Sequence, residues 1–307
     1  MRLTTAVARQ FAVAGCAAAL LACCARAQSG RPGGGGNQFA AASESPKRLA
    51  TEAIENEVKL IRYDGSYLRY QVHTKDAKGD QVREVVESKD GSVARVMLRD
   101  AHAVLPEQDA EERQRLQEML DSPRAFERHI EKDKSGKKIA VDLIRAMPDA
   151  MLFSYVAGQP QREGRPAGAP PELVLDFKPN PDWKPPTMAS QALTGVQGRC
   201  WIDARTHYLT RLEASIFEGI NFGWGLFAHI YPGGTLTLEQ EPVGEDRWVV
   251  SRFTGRLTVR EMMVRTVSEN TDLYASEFEQ VPGMSYQDAI KLLLNAPLPE
   301  TKAQLRK

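Results

Sequence analysis

The chain has 307 residues, with 40 basic and 40 acidic side chains, a net charge of zero and 42% apolar residues. A balanced charge excludes the basic footprint of a nucleic-acid binder and a long polybasic membrane patch. The length beyond an export leader suits one large domain with a sizeable core.

The N-terminus reads MRLTTAVARQFAVAGCAAALLACCARAQSG, with Arg2 and Arg9 ahead of an apolar run from Phe11 to Ala22. That run has the length of a signal-peptide core and is too short to span a bilayer. Ala25-Arg26-Ala27 fits the small-x-small rule, so residues 1–27 are read as a signal peptide cut before Gln28. Leu20-Leu21-Ala22-Cys23 offers a second route, a lipoprotein signal that ends before Cys23 and makes that cysteine a candidate lipidation site. Both routes predict a periplasmic protein, either soluble or lipid-anchored to a membrane of a bacterial envelope. Losing residues 1–27 removes three arginines and no acid, which leaves 37 basic and 40 acidic groups. Cys16, Cys23 and Cys24 lie in the leader, so the mature domain keeps Cys200 and cannot close an internal disulfide. No later segment is apolar for long enough to form a transmembrane span.

Residues 28–45 are rich in Gly, Ser and Ala and read as a flexible linker. A single β-rich domain is expected over 46–295, with a short tail at 296–307. Its first element is PKRLATEAIENEVKLI, 46–61, whose apolar positions at spacings of three and four predict an amphipathic helix capped by Ser45. Alternation then predicts strands at about 66–75, 80–88 and 92–99, the last two joined by an Asp90-Gly91 hairpin turn. Residues 107–147 are helical and highly charged, with short apolar stripes at Leu116/Leu120, Phe126/Ile130 and Ile139/Leu143, punctuated by Pro123 and Gly136. This helical insertion is either a surface addition or a cover over a sheet.

From residue 150 the pattern is a meander of strands: MLFSYV, ELVLDF, GRCWID, YLTRLEASIF, INFGWGLFAHIY, TLTLEQEPV, RWVVSRFTGRLTV and REMMVRTVSEN. SYQDAIKLLLN, 285–295, closes the domain as a short serine-capped helix. Within 220–238 the even positions are apolar and Asn221, Gly223 and Gly225 are not. Phe222, Trp224 and Leu226, with Leu236 and Leu238 beyond the Pro232-Gly233-Gly234 turn, are therefore read as one apolar wall. Tyr208 and Leu212 repeat the pattern on the preceding strand. Interior strand glycines suggest a strongly curved sheet with an apolar concave face. Such a face is filled by the protein's own helices or holds a lipid or acyl chain.

The order Gly198-Arg-Cys-Trp-Ile-Asp203, Leu209-Thr-Arg-Leu-Glu213, Phe222-Gly-Trp-Gly225, Leu236 to Gln240 and Trp248 resembles the outer-membrane lipoprotein-sorting (Lol-type) carriers and receptors. The resemblance is clearest over about 195–280. It implies an α+β fold, an incomplete antiparallel β-barrel with helices covering its apolar concave face. It also implies binding of lipid or lipoprotein acyl chains, contact with other envelope proteins, and neither catalysis nor a cofactor. The 107–147 insertion and the candidate anchor at Cys23 depart from the soluble carriers.

Motifs for catalysis are absent: HExxH, GxSxG, the P-loop and a GxGxxG after a strand. The five histidines lack ligand spacing, so no metal site is expected. Cys200 and His207 face each other across a predicted hairpin, but a lone cysteine among strand residues reads as a small buried hydrophobe. Asp203 reads as turn chemistry, and Arg211 and Glu213 read as residues of one outward face available for cross-strand pairs. Two functional readings remain: a non-enzymatic envelope lipid or lipoprotein binder, and a structural or interaction protein whose core is full.

Overall fold

A computed structural model describes residues 44–61, 65–165, 168–223, 225–244 and 247–299. The expected leader, Cys23, nearly all of the linker, Trp224 and the end of the tail lie outside these residues. The fold is α+β, with a large antiparallel sheet and few helices. In chain order the elements are α1 (Pro46–Ile61), β1 (Tyr67–Asp76), β2 (Gly79–Ser88), β3 (Gly91–Arg99), β4 (His102–Ala103), α2 (Pro106–Asp121) and α3 (Pro123–Ala150). Then come β5 (Met151–Tyr155), β6 (Glu172–Pro179), β7 (Val196–Asp203), β8 (Leu209–Ile216), β9 (Ile220–Phe222) and β10 (Ala228–Ile230). The last are β11 (Thr235–Val243), β12 (Arg247–Glu261), β13 (Arg265–Val281) and α4 (Tyr286–Asn295). Contacts divide the chain into two compact units: residues up to 63 with 136–269, and 64–135 with 270 onward.

In the first unit the strand order is β13-β12-β11-β8-β7-β6-β5, with β9 and β10 paired to each other and β10 also to β12. The pairs from β12 through β5, and those that β10 makes with β9 and β12, are antiparallel. The alternation of the sequence becomes rows of facing residues. One row runs Tyr155, Leu175, Cys200, Leu212, Leu238, Phe253. Its neighbour runs Phe153, Phe177, Gly198, Ala214, Leu236, Gly255. Both point their side chains to the same side, which the helices cover. α1 begins where expected: the Arg48 N–H donates to Ser45 Oγ at 3.2 Å and Pro46 occupies the first turn, where its missing N–H costs nothing. Its stripe, Leu49, Ala50 and Ala53, is buried against Leu175, Cys200 and Ile202. The second half of α3 packs Leu143 against Phe177, Ile216, Phe222, Ile230 and Val259. Each such fully buried large side chain contributes about 1.5–3 kcal/mol.

In the second unit the order is β4-β3-β2-β1-β13. The three strands expected at 66–99 are present, and Ser88 faces Gly91 across the Asp-Gly hairpin. Leu116, Met119 and Phe126 of α2 and α3 are buried with Val86 and Val93 of the sheet and with Ile290 and Leu293 of α4. The Phe126 and Tyr286 rings stack. The charged segment is therefore a cover, not a bare surface addition. Pro123 separates two helices as expected, but Gly136 lies inside α3 and interrupts nothing. In neither unit does the strand order close on itself.

The stretch 220–230 is not one strand. Phe222 pairs with Ala228 and Ile220 with Ile230, so the segment folds back as a short hairpin. Gly223 (φ +57°) and Gly225 (φ +81°) sit in its tip with left-handed backbone, a conformation that costs a β-branched residue steeply. A Cβ on Gly223 would come within 2.3 Å of the Phe227 ring. These are turn glycines and not the interior strand glycines that suggested a sharp bend. Nor do 220–230 and 235–243 form a hairpin with each other. β11 pairs with residues 247–256 of β12 and β10 with residues 259–261, so they share one long partner.

Candidate functional site: an apolar cavity beneath the first helix

Within the first unit a cavity of about 90 Å³ lies between α1, α3 and the inward face of the sheet. α1 contributes Ala50, Ala53, Ile54 and Glu57, and α3 contributes Ile144 and Met147. The sheet supplies Phe153, Phe177, Cys200, Ile202, Leu209, Leu212, Leu238 and Gln240. The cause is local. Ala50 and Ala53 put short side chains where the helix faces the sheet, and a longer side chain there would fill the space. Ile54 and Glu57 continue the same stripe at helical spacing.

The walls are apolar except at Glu57 and Gln240. Both are buried in the folded chain. Gln240 Nε2 donates to Glu57 Oε2 at 2.7 Å, and the Leu209 N–H donates to Glu57 Oε1 at 3.3 Å. Among the described residues Gln240 Oε1 has no hydrogen-bond partner. Cys200 also lines the cavity; burial pushes its thiol up to about 12, against a smaller opposing effect from a backbone hydrogen bond at Leu175. At neutral pH it is a protonated, inert apolar wall. His207, the other half of the nucleophile pair that the sequence invited, bonds to Glu52 at 2.8 Å instead.

Of the seven residues expected to line a ligand face, Leu212 and Leu238 border this cavity. Phe222 is buried in the core with Ile220, Ala228 and Val259 and does not border the cavity. Leu226 is 55% exposed, because it sits in the hairpin tip and not in a strand. Beside that tip the Met262 N–H donates to the Phe227 carbonyl. Leu236 keeps the inward register but borders a different hollow. Tyr208 stacks on Trp248, with ring centroids 5.6 Å apart. The register shifts between Trp201 and Ile202, which pair with Arg211 and Leu209. That bulge inverts the alternation at the start of β8, so Leu209 takes the place assigned to Tyr208. Trp224 lies outside the described residues. The helix residues and Gln240 were missed. One signal was available: Glu57 is a lone acid on the apolar stripe of α1.

The other hollow, of about 760 Å³, crosses five strands on the outward face of this sheet. Polar and charged residues dominate its walls, among them Asp176, Arg199 and Glu213, and Arg199 already pairs with Asp176 at 2.7 Å. It suits water better than an acyl chain. Asp203 does serve its turn, accepting from the Arg205 and Thr206 N–H groups. Arg211 pairs with Glu213 and Glu239. Among the described residues one trio, Glu44, Glu52 and His207, brings potential metal-ligand atoms within 4.8 Å of one another. Arg48 already pairs with both carboxylates, at 2.9 and 3.2 Å. The His207 hydrogen bond, followed by that of Arg48, holds the Glu52 carboxyl below its ordinary value. The trio is thus an ion-pair network with its own cation.

No helix among the described residues is long and apolar enough to cross a membrane. No family model, curated protein or solved structure matches the chain.

Proposed function

We propose that the protein is a non-enzymatic binder of lipid or lipoprotein acyl chains in a bacterial cell envelope, with the cavity beneath α1 as its site. The observation that supports this is the make-up of that cavity: twelve of its fourteen lining residues are apolar or thiol, and they come from two helices laid across one sheet face. In this reading the chain is a relative of the lipoprotein-sorting carriers, its sheet is a curved half-barrel, and α1 is the cover that moves to admit a chain. The leader at 1–27 delivers it to the periplasm, and Cys23 decides between a soluble and an anchored form.

One observation favours the alternative, an interaction protein with a filled core. A cavity of about 90 Å³ is some three times the share of liquid volume held by one water. As it stands it accepts a few carbon atoms, so a longer chain requires α1 to shift. Titration with a fluorescent acyl probe separates the two readings. The binder gives saturable binding that unlabelled fatty alcohol displaces. A filled core gives none. Native mass spectrometry of protein taken from its own envelope adds any co-purified lipid and the mass of the N-terminus.

A further inference from the structure

The one unsatisfied polar atom at the cavity points to the kind of amphiphile it takes. Gln240 is 5% exposed, and its amide has two ends in different circumstances. The nitrogen is committed to Glu57 Oε2 at 2.7 Å. With Glu57 ionised this fixes the amide orientation, because a flip would set its oxygen against a carboxylate oxygen at that same short distance. The amide oxygen is therefore the group left over: among the described residues it has no partner, and it is closed off from the cavity until α1 shifts to admit a chain. A buried acceptor without a donor is unfavourable, and an occupant that supplies a donor there removes the deficit. The neighbouring carboxylate adds a second requirement, since an anionic group placed beside it in an apolar wall would be repelled.

We propose that the cavity beneath α1 selects an uncharged single-chain amphiphile whose first polar group is a hydrogen-bond donor, a hydroxyl or an amide N–H, which meets Gln240 Oε1. The apolar tail lies along Phe153, Leu212 and Leu238, and the donor sits at the Glu57–Gln240 end. This rests on the acyl-binding reading above and adds a head-group rule to it. It also makes a distinction that apolar area cannot, because an ether and an alcohol of one chain length bury nearly the same surface.

The test uses the full-length protein in displacement of a fluorescent acyl probe. The competitors are 1-decanol against its methyl ether, N-methyldecanamide against N,N-dimethyldecanamide, and decanoate. Each donor-bearing member is expected to bind at least about tenfold more tightly than its donor-free partner, the surplus of one satisfied buried hydrogen bond. Decanoate is expected to fall behind the alcohol. The stronger of the two donor pairs tells whether hydroxyl or amide is the better head. In Gln240→Met the alcohol-to-ether ratio is expected to fall below about twofold while the ether still binds. Equal binding of alcohol and ether to the wild type overturns the head-group rule and leaves the acyl-binding reading standing. Displacement by none of the competitors overturns both. If Gln240→Met fails to fold, the wild-type ratios decide alone.

Discussion

Cys200 reports on the cavity from inside it. Its thiol is pushed up to about 12 by burial, so almost no thiolate exists at pH 8, and the side chain is buried beneath α1. Iodoacetamide at pH 8 is expected to leave Cys200 unmodified for hours in the native protein and to label it in denaturant, as read by peptide mass. Rapid native labelling would mean that α1 does not cover the site. A second residue, Arg95, anchors the other unit. Its guanidinium is 1% exposed, donates to the Leu293 and Ala296 carbonyls at 2.6 and 2.9 Å, and pairs with Asp109 at 2.6 Å. It thereby satisfies the carbonyls at the end of α4, which a helix leaves open. Arg95→Met removes a buried charge and strands Asp109, and should cost about 3–5 kcal/mol in chemical denaturation. A loss under about 1 kcal/mol would show that the pair is dispensable. The burial of Cys200 was legible in the sequence, but the role of Arg95 was not. In SVARVMLRD, Arg95 looks like one more outward residue of an alternating strand, and its partners lie 14, 198 and 201 residues away.

At the scale of elements, alternation and helical spacing located most strands and the four α-helices among the described residues, because both are backbone periodicities that survive without tertiary context. What they could not carry was phase across an irregularity. The bulge in β8 moved Leu209 into the cavity and Tyr208 out of it. The glycine-rich tip of β9–β10 turned an apparent wall residue, Leu226, into an exposed one. A second turn carries a similar cost. The Val264 N–H bonds to the Glu261 carbonyl, with Met262 and Met263 between them at φ +48° and +60°. Both central residues are left-handed, the geometry for which Asn-Gly is the favoured pair. Met262→Asn with Met263→Gly should raise stability by about 1–2 kcal/mol. A lower denaturation midpoint would contradict that. The lid makes a separate prediction. Ala53→Val adds two carbons into a cavity of about 90 Å³, and a cavity of that size costs about 2 kcal/mol. The variant should fold with unchanged or higher stability and bind an acyl probe at least about fivefold more weakly, since the space it fills is the space the ligand needs. Unchanged binding would place the site elsewhere.

For the molecule as a whole, composition and patterning pointed to an α+β chain with a large antiparallel sheet, and that is the fold. The apolar face was legible because its residues recur every second position. The site on it was not, because a cavity is a deficit. It arises where Ala50 and Ala53 meet the sheet, and small residues in a helix look the same whether a neighbour fills the gap or not. The polar end was hidden for a related reason: Glu57 stands out as an acid on an apolar stripe, but its partner Gln240 lies 183 residues away and alone looks like a surface residue. The account therefore turns on whether a chain of carbon atoms enters between α1 and β11. A crystal structure of the protein with 10-bromo-1-decanol decides this through the anomalous signal of bromine. The account predicts one bromine peak in the space bounded by α1, Phe153 and Leu212, with the hydroxyl at Gln240. Bromine found only outside that space, with the cavity unchanged, would contradict it.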